Sequence, residues 1–204
     1  MRFALTAAQT AFFTQNGYIE LEKLPFDPDE IFSSITQRLK TEPAGRDLWR
    51  GEEALSRLLL RKLHSPIAHL VAKPVRLGFD QFMSSFPATP CPLQNLFCIQ
   101  GLILCALFTF SAIPPETRMQ KRRLSALGIP PFPTHPANIL FVKPHIALDW
   151  SVLKSPVSLY IAGYALAKQG VYVHNQKDPS THALKNLGYE FGDALTHPHH
   201  PIIY

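Results

Sequence analysis

The 204-residue chain has little cysteine, little charge and no evident export signal, and each shortage excludes something. Its three cysteines, Cys91, Cys98 and Cys105, are odd in number and show no Cys-x-x-Cys spacing. That argues against a disulfide scaffold and a zinc ribbon, and for a reducing, cytoplasmic setting. Charged residues make up 17% and the net charge is +5, a mildly basic balance that favours an acidic partner without implying nucleic acid. The start, MRFALTAAQT, lacks the apolar core of a signal peptide. No internal repeat of roughly 20–50 residues is visible, and no low-complexity tract. There is also no G-x-G-x-x-G, Walker loop or G-x-S-x-G, so nothing supports a nucleotide site or a serine nucleophile.

Proline, by contrast, is abundant. Nineteen prolines cluster at Pro87–Pro92, Pro114–Pro115 and Pro130–Pro136, giving rigid, non-helical connections between apolar segments. Such spacing suits a β-rich core with helices packed on it. The length and the 46% apolar content fit one domain spanning 1–204: a mainly helical layer to residue 74, core strands over 75–175, and a C-terminal helix and tail over 176–204.

In the N-terminal part, Thr6 and Gln9 form a capping box, and Gly17 supplies a left-handed stop to the helix between them. Ile19 and Leu21 then alternate with acids as in a half-buried strand. Asp27-Pro28-Asp29-Glu30 starts a second helix, with Ile31, Ile35 and Leu39 as its buried stripe. GRDLWRG reads as a polar loop. EEALSRLLLRKL reads as a helix buried through Leu55, Leu58, Leu59 and Leu63, and Ser65-Pro66 starts another. VRLGFDQFM alternates Val75, Leu77 and Phe79 against Arg76, Gly78 and Asp80, as a strand does.

Leu96–Ile113 is an 18-residue run without charge, near the lower limit for a membrane span. Gln100-Gly101 inside it, and the lack of a second such run, favour buried strands bent at that point. The stretch NILFVKPHIALDWSVLKSPVSLYI (138–161) reads as strands Ile139–Lys143 and Val157–Ile161 around a turn carrying His145, Asp149, Trp150 and Lys154. Ionisable groups gathered at strand ends are the usual material of a binding site. Gly170–Asn175 is a further strand, Asp178-Pro179 repeats the cap-plus-proline signature, and a last short helix closes at Gly188. The remaining tail, with His197, His199 and His200, reads as solvated.

The opening LTAAQTAFFTQNGYIELEKL resembles the start of phytanoyl-CoA dioxygenase-type enzymes, a helix of the form L-T-x-x-Q-x-x-F-F-x-x-x-G-Y running into an alternating strand. Leu5, Thr6, Gln9, Phe12, Phe13, Gly17 and Tyr18 fit it. NILFVKPHIALDWS is similar to the same family's G-D-V-L-F-F-H-P-x-x-x-H strand, and DPSTHALKNLGYEFGDAL resembles the tail of some relatives. The resemblance implies an α+β fold, a double-stranded β-helix (jelly-roll or cupin-like) with N-terminal helices packed on one sheet. It also implies an ancestry among Fe(II)/2-oxoglutarate-dependent oxygenases.

Such enzymes hold iron with two histidines and a carboxylate. Two of these ligands come from His-x-Asp or His-x-Glu, because residues i and i+2 of a strand point the same way. Two positions after this chain's nine histidines stand Pro66, Val71, Ala137, Ala147, Gln176, Leu184, His199, Pro201 and Ile202. None is acidic. The family's distal histidine falls near Leu148 or Asp149. Extended chain would hold His145 and Asp149 about 13 Å apart, at roughly 3.3 Å per residue, so a shared metal needs a turn after Pro144. The arginine that grips 2-oxoglutarate falls at Val157 or Ser158; Lys154 is the nearest cation and lacks the planar fork.

The resulting expectation is a catalytically degenerate oxygenase-like protein that binds a small molecule or protein through the former active-site cavity, with Asp80, Trp150 and Lys154 as pocket candidates. One alternative is a non-heme iron oxygenase with a rearranged site, in which His145 and Asp149 hold Fe(II) beside 2-oxoglutarate; the competing role for this pair is a hydrogen-bonded turn. A divergent branch of the family includes a protein described as a divalent cation-dependent regulator. That implies a metal-responsive DNA-binding alternative, with Arg118, Lys121, Arg122 and Arg123 on phosphate, although no reader motif accompanies them.

Overall fold

The computed structural model describes residues 5–22, 26–110, 130, 132–133, 135–136, 138–153, 157–196 and 199–203. Its first helix, α1 (Ala7–Asn16), opens on the capping box of Thr6 and Gln9 and closes on Gly17 at φ 75°. The chain turns there into β1 (Tyr18–Leu21). The second helix, α2 (Pro28–Arg38), is capped by Asp27 and buries Ile31 and Ile35. After a 3-10 turn at Leu48–Gly51 come α3 (Glu53–Arg57), a π-helical continuation over Leu58–Lys62, and α4 (His64–Val71). The π turn is where the expected single helix departs from regular geometry, yet Leu55, Leu58, Leu59 and Leu63 are all buried as the spacing predicts. The next helix begins at His64, immediately after that turn, instead of being capped by Ser65.

The strands are β2 (Val75–Met83), β3 (Cys91–Pro92), β4 (Ile99–Gln100), β5 (Leu102–Thr109), β6 (Ile139–Val142), β7 (Ala147–Leu148), β8 (Leu159–Leu166), β9 (Val171–Tyr172) and β10 (Ile202–Ile203). Six of them form an antiparallel sheet in the order β1-β6-β5-β8-β2-β10. The ladders β3–β7 and β4–β9 stand apart from it. The described part of the uncharged run thus holds two strands, β4 and β5, joined through Gly101 at φ 80°, where the Gln100-Gly101 pair predicts a bend. No helix among the described residues is long and apolar enough to cross a membrane.

Both faces of the six-stranded sheet are covered. On one face, Leu104, Ala106, Phe108, Phe141, Tyr160, Ala162 and Tyr164 pack against the helices. On the other, Cys105, Leu107, Leu140, Val142, Leu159 and Ile161 meet Leu93, Phe97, Leu148, Trp150 and Tyr172 from the two small ladders and their connections.

In β2 the expected alternation breaks. Leu77 pairs with Tyr164 and Phe79 with Gly163, leaving Gly78 unpaired as a bulge. One extra residue reverses the side-chain parity beyond it. Leu77 therefore faces the helices, while Phe79 lies in the opposite core and Asp80 turns under the helical layer. The tail also departs from expectation: Ile202 and Ile203 extend the sheet against β2, and His200 is fully buried. Its ring Nδ1 lies 2.9 Å from the Leu77 carbonyl. Burial pushes that imidazole down to about 4.

Candidate functional site

The carboxylate of Asp80 is enclosed between the sheet and the helices. Its Oδ2 accepts the Trp49 backbone N–H at 3.0 Å and the Tyr160 hydroxyl, while Oδ1 has no partner. Loss of hydration is the main reason its acid strength falls, moving it up to about 7, and the neighbouring Asp47 adds to the shift. Asp80 thus holds the 3-10 turn onto the sheet.

Trp150 is buried in the opposite core. Its indole N–H donates to the Cys91 carbonyl at 3.1 Å, and its ring stacks on Phe86 and tilts against Phe132 at centroid distances of 6.1 and 5.4 Å. The side chain fills space between the layers. Lys154 lies outside the described residues, as do Arg118, Lys121, Arg122 and Arg123.

His145 is exposed. Asp149 caps the 3-10 turn Trp150–Val152, its Oδ1 accepting the Ser151 N–H at 3.1 Å and the Ser151 hydroxyl at 2.6 Å. The chain does turn after Pro144, but among the described residues no three His, Cys, Asp or Glu side chains are grouped to hold a metal ion. Leu148, which with Asp149 is where the resemblance puts the distal histidine, is fully buried and pairs across the ladder with Cys91. Two residues beyond Cys91 stands Leu93, also fully buried. Val157, where the co-substrate arginine would fall, is buried in the same core. These side chains do not fit iron and its co-substrate.

The loop-like segment GRDLWRG conceals the most connected polar residues. Arg46 and Asp178, 132 positions apart, form a buried ion pair of 2.6 Å. Asp178 also accepts the Cys98 and Ser180 backbone N–H groups at 2.8 and 2.9 Å. The Arg46 guanidinium lies over the rings of Phe79 and Phe97, 4.9 and 5.1 Å from their centroids. Asp47 follows in a left-handed conformation, φ 55°. The cap-plus-proline pattern at Asp178 does mark a local turn, since its carboxylate bonds the Ser180 N–H. Its link to Arg46 has no local signal in the sequence. Cys98 and Cys105 are buried thiols whose desolvation keeps them protonated, Cys98 pushed up to about 12.

Two clefts flank this hub. One, of about 570 Å³, is walled by Leu39, Phe82, Phe86 and Phe97, with Gln81 and Lys177 as polar members. Gln81 donates from Nε2 to the carbonyls of Ala44 and Phe82, both at 2.8 Å, and its Oε1 is buried without a partner. Turning the amide over would set oxygen against two carbonyl oxygens, so this orientation is fixed. The other cleft, of about 480 Å³, has Arg38, Glu42, Arg46, Asp47, Arg50, Ser180 and His182 among its lining residues.

No protein-family model and no curated protein sequence matches the chain. Solved structures do. The carbocyclase SnoK of nogalamycin biosynthesis, a non-heme alpha-ketoglutarate-dependent enzyme, superposes with a TM-score of 0.72 at 13% identity, covering 98% of this chain and 97% of its own. The epimerase SnoN, in complex with Fe3+, alpha-ketoglutarate and nogalamycin RO, gives 0.68 at 15% identity, with 97% and 98% covered. HygX from Streptomyces hygroscopicus, with nickel and 2-oxoglutarate bound, gives 0.53 at 18% identity over 80% of this chain and 88% of its own. The chain has the fold of these enzymes. At such identities the likeness concerns the scaffold alone.

Proposed function

We propose that the chain is a divergent, catalytically degenerate relative of the Fe(II)/2-oxoglutarate oxygenases, built as a double-stranded β-helix and serving as a binding protein. The ladder between β3 and β7 carries the reading. Of the two positions where the resemblance calls for a metal-binding histidine, Leu148 is buried facing Cys91, with Leu93 two positions further along, and Asp149 is bonded to Ser151 as a turn cap. A divalent ion needs deprotonated or lone-pair donors, and Leu148 and Leu93 offer only hydrocarbon there. Beside them, Cys91 has its thiol held toward the neutral form chiefly by burial.

Among the clefts open on this scaffold is the 570 Å³ one beside β2. Apolar walls with a few fixed polar groups are the usual make-up of a small-molecule site. The fixed Gln81 acceptor calls for a ligand N–H or O–H, and Lys177 at the wall favours an anionic substituent. The occupant is thus an apolar molecule carrying both.

Anaerobic calorimetric titration of the full chain with Fe(II) and 2-oxoglutarate, followed by succinate measurement in air, tests the loss of catalysis. The expected result is no metal binding that depends on 2-oxoglutarate and no succinate. Stoichiometric binding with succinate release that Asp149→Ala abolishes would overturn the reading in favour of a rearranged metal site at His145 and Asp149.

A further inference from the structure

Eight buried side-chain polar atoms among the described residues have no hydrogen-bond partner, and five of them belong to residues lining the single 480 Å³ cleft. These are Nε of Arg38, Arg46 and Arg50, Oγ of Ser180, and Oδ1 of Asp47. Four of the five are donors. Buried polar groups are otherwise almost always bonded, to protein or to ordered water, so such a concentration marks bonding capacity left for water or a ligand.

The arginines are held in place by other contacts. Arg46 is 7% exposed and Ser180 8%. The Arg50 guanidinium lies 4.6 Å over the Trp49 ring and donates to the His199 carbonyl. Arg38 rests against Gly51, where an added Cβ would come within 2.6 Å of the guanidinium carbon. Two of their ion pairs are loose: Arg38 to Glu42 at 3.7 Å and Arg50 to Asp47 at 3.6 Å. Both exceed hydrogen-bonding distance. Burial raises Asp47 toward its neutral form, opposed by Arg50 and Arg46, and the carboxylates near the arginines are Glu42, Asp47 and Asp178.

We propose that this cleft, between the end of α2, the Arg46–Gly51 segment and the Asp178–Asn186 turn, binds a phosphate group, free or carried on a small molecule. Guanidinium donors match phosphate oxygens in spacing and charge. They are drawn here from separate chain segments, with the Ser180 hydroxyl as a fourth donor. The site lies across Ala44 and Pro179 from the apolar cleft and is independent of the reading given above.

The test is calorimetry of the full chain in phosphate-free buffer, using inorganic phosphate, phenyl phosphate and succinate as probes. The same measurements on Arg38→Gln and Ser180→Ala follow; neither residue belongs to the buried Arg46–Asp178 pair, and circular dichroism checks that both variants fold. Saturable one-to-one binding of a phosphate probe is expected, about tenfold weaker in each variant, the loss of one charge-assisted bond. Tighter binding of phenyl phosphate than of inorganic phosphate assigns the source as an ester, and equal affinity assigns it as the free ion; either supports the proposal. No saturable binding of either phosphate probe, succinate binding as tightly, or unchanged affinity in both folded variants would overturn it.

Discussion

The two faces of the six-stranded sheet are equally dry but bury different chemistry. The helix-covered face tolerates an ionisable group, Asp80, and supplies it with a backbone donor and a tyrosine hydroxyl. The opposite face is built largely from aliphatic and aromatic side chains, and the ionisable groups at it, Arg46 and Asp178, are paired with each other beside Phe79 and Phe97. The packing that holds the layers together does not by itself fix which side chains stand at a site, so the fold alone does not decide the chemistry.

If the opposite face is core, Trp150→Ala should cost about 3–5 kcal/mol in urea unfolding, the cavity cost of a large aromatic. A near-neutral variant would instead make Trp150 a pocket wall and break the contrast. The ionisable side answers to pH. Asp80 titrates near 7 in the folded chain against roughly 3.9 unfolded. Between those values the folded state holds a proton the unfolded state has lost, so this group's contribution rises as pH falls from 7 to 4. His200 acts in the opposite sense: held down to about 4 from 6.5, it withholds a proton the unfolded state takes up, and stability falls over pH 6.5 to 4. Asp80→Asn removes the first effect and leaves the second. Relative to wild type the variant should lose on the order of 2 kcal/mol on acidification across that window, read from denaturant melts at each pH. A parallel pH profile for the two proteins would place Asp80 outside the titration.

A smaller effect sharpens the same comparison. Gly163 lies against the Phe79 ring on the opposite face, and a methyl there would overlap it. Gly163→Ala should therefore destabilise by about 1–3 kcal/mol through overpacking, measured by the same melts. No loss would mean that Phe79 has room to move and the core is loose there.

Much of the scaffold was legible because its signals are local. Thr6 with Gln9, Gly17, Asp27-Pro28 and Gly188 each satisfy backbone groups within a few residues, so the sequence declares them. The bulge at Gly78 was not legible: a glycine in a strand is equally an ordinary strand residue, and only pairing with β8 reveals the parity change that sends Phe79 and Asp80 to opposite faces. The candidate site was less readable still. Arg46 sits in a stretch that looks like a polar loop, and its partner Asp178 is fixed by tertiary contact across 132 positions. His200 looked like tail because nothing nearby foretells that Ile202 and Ile203 would close the sheet edge.

The most direct test of the account is a crystal of the full chain soaked in Mn(II) with 2-oxoglutarate and measured at a wavelength where manganese scatters anomalously. The account predicts no anomalous peak between β3, β7 and the large sheet, with Leu148 and Leu93 in hydrocarbon contact. A peak there within bonding distance of three protein donors would contradict it.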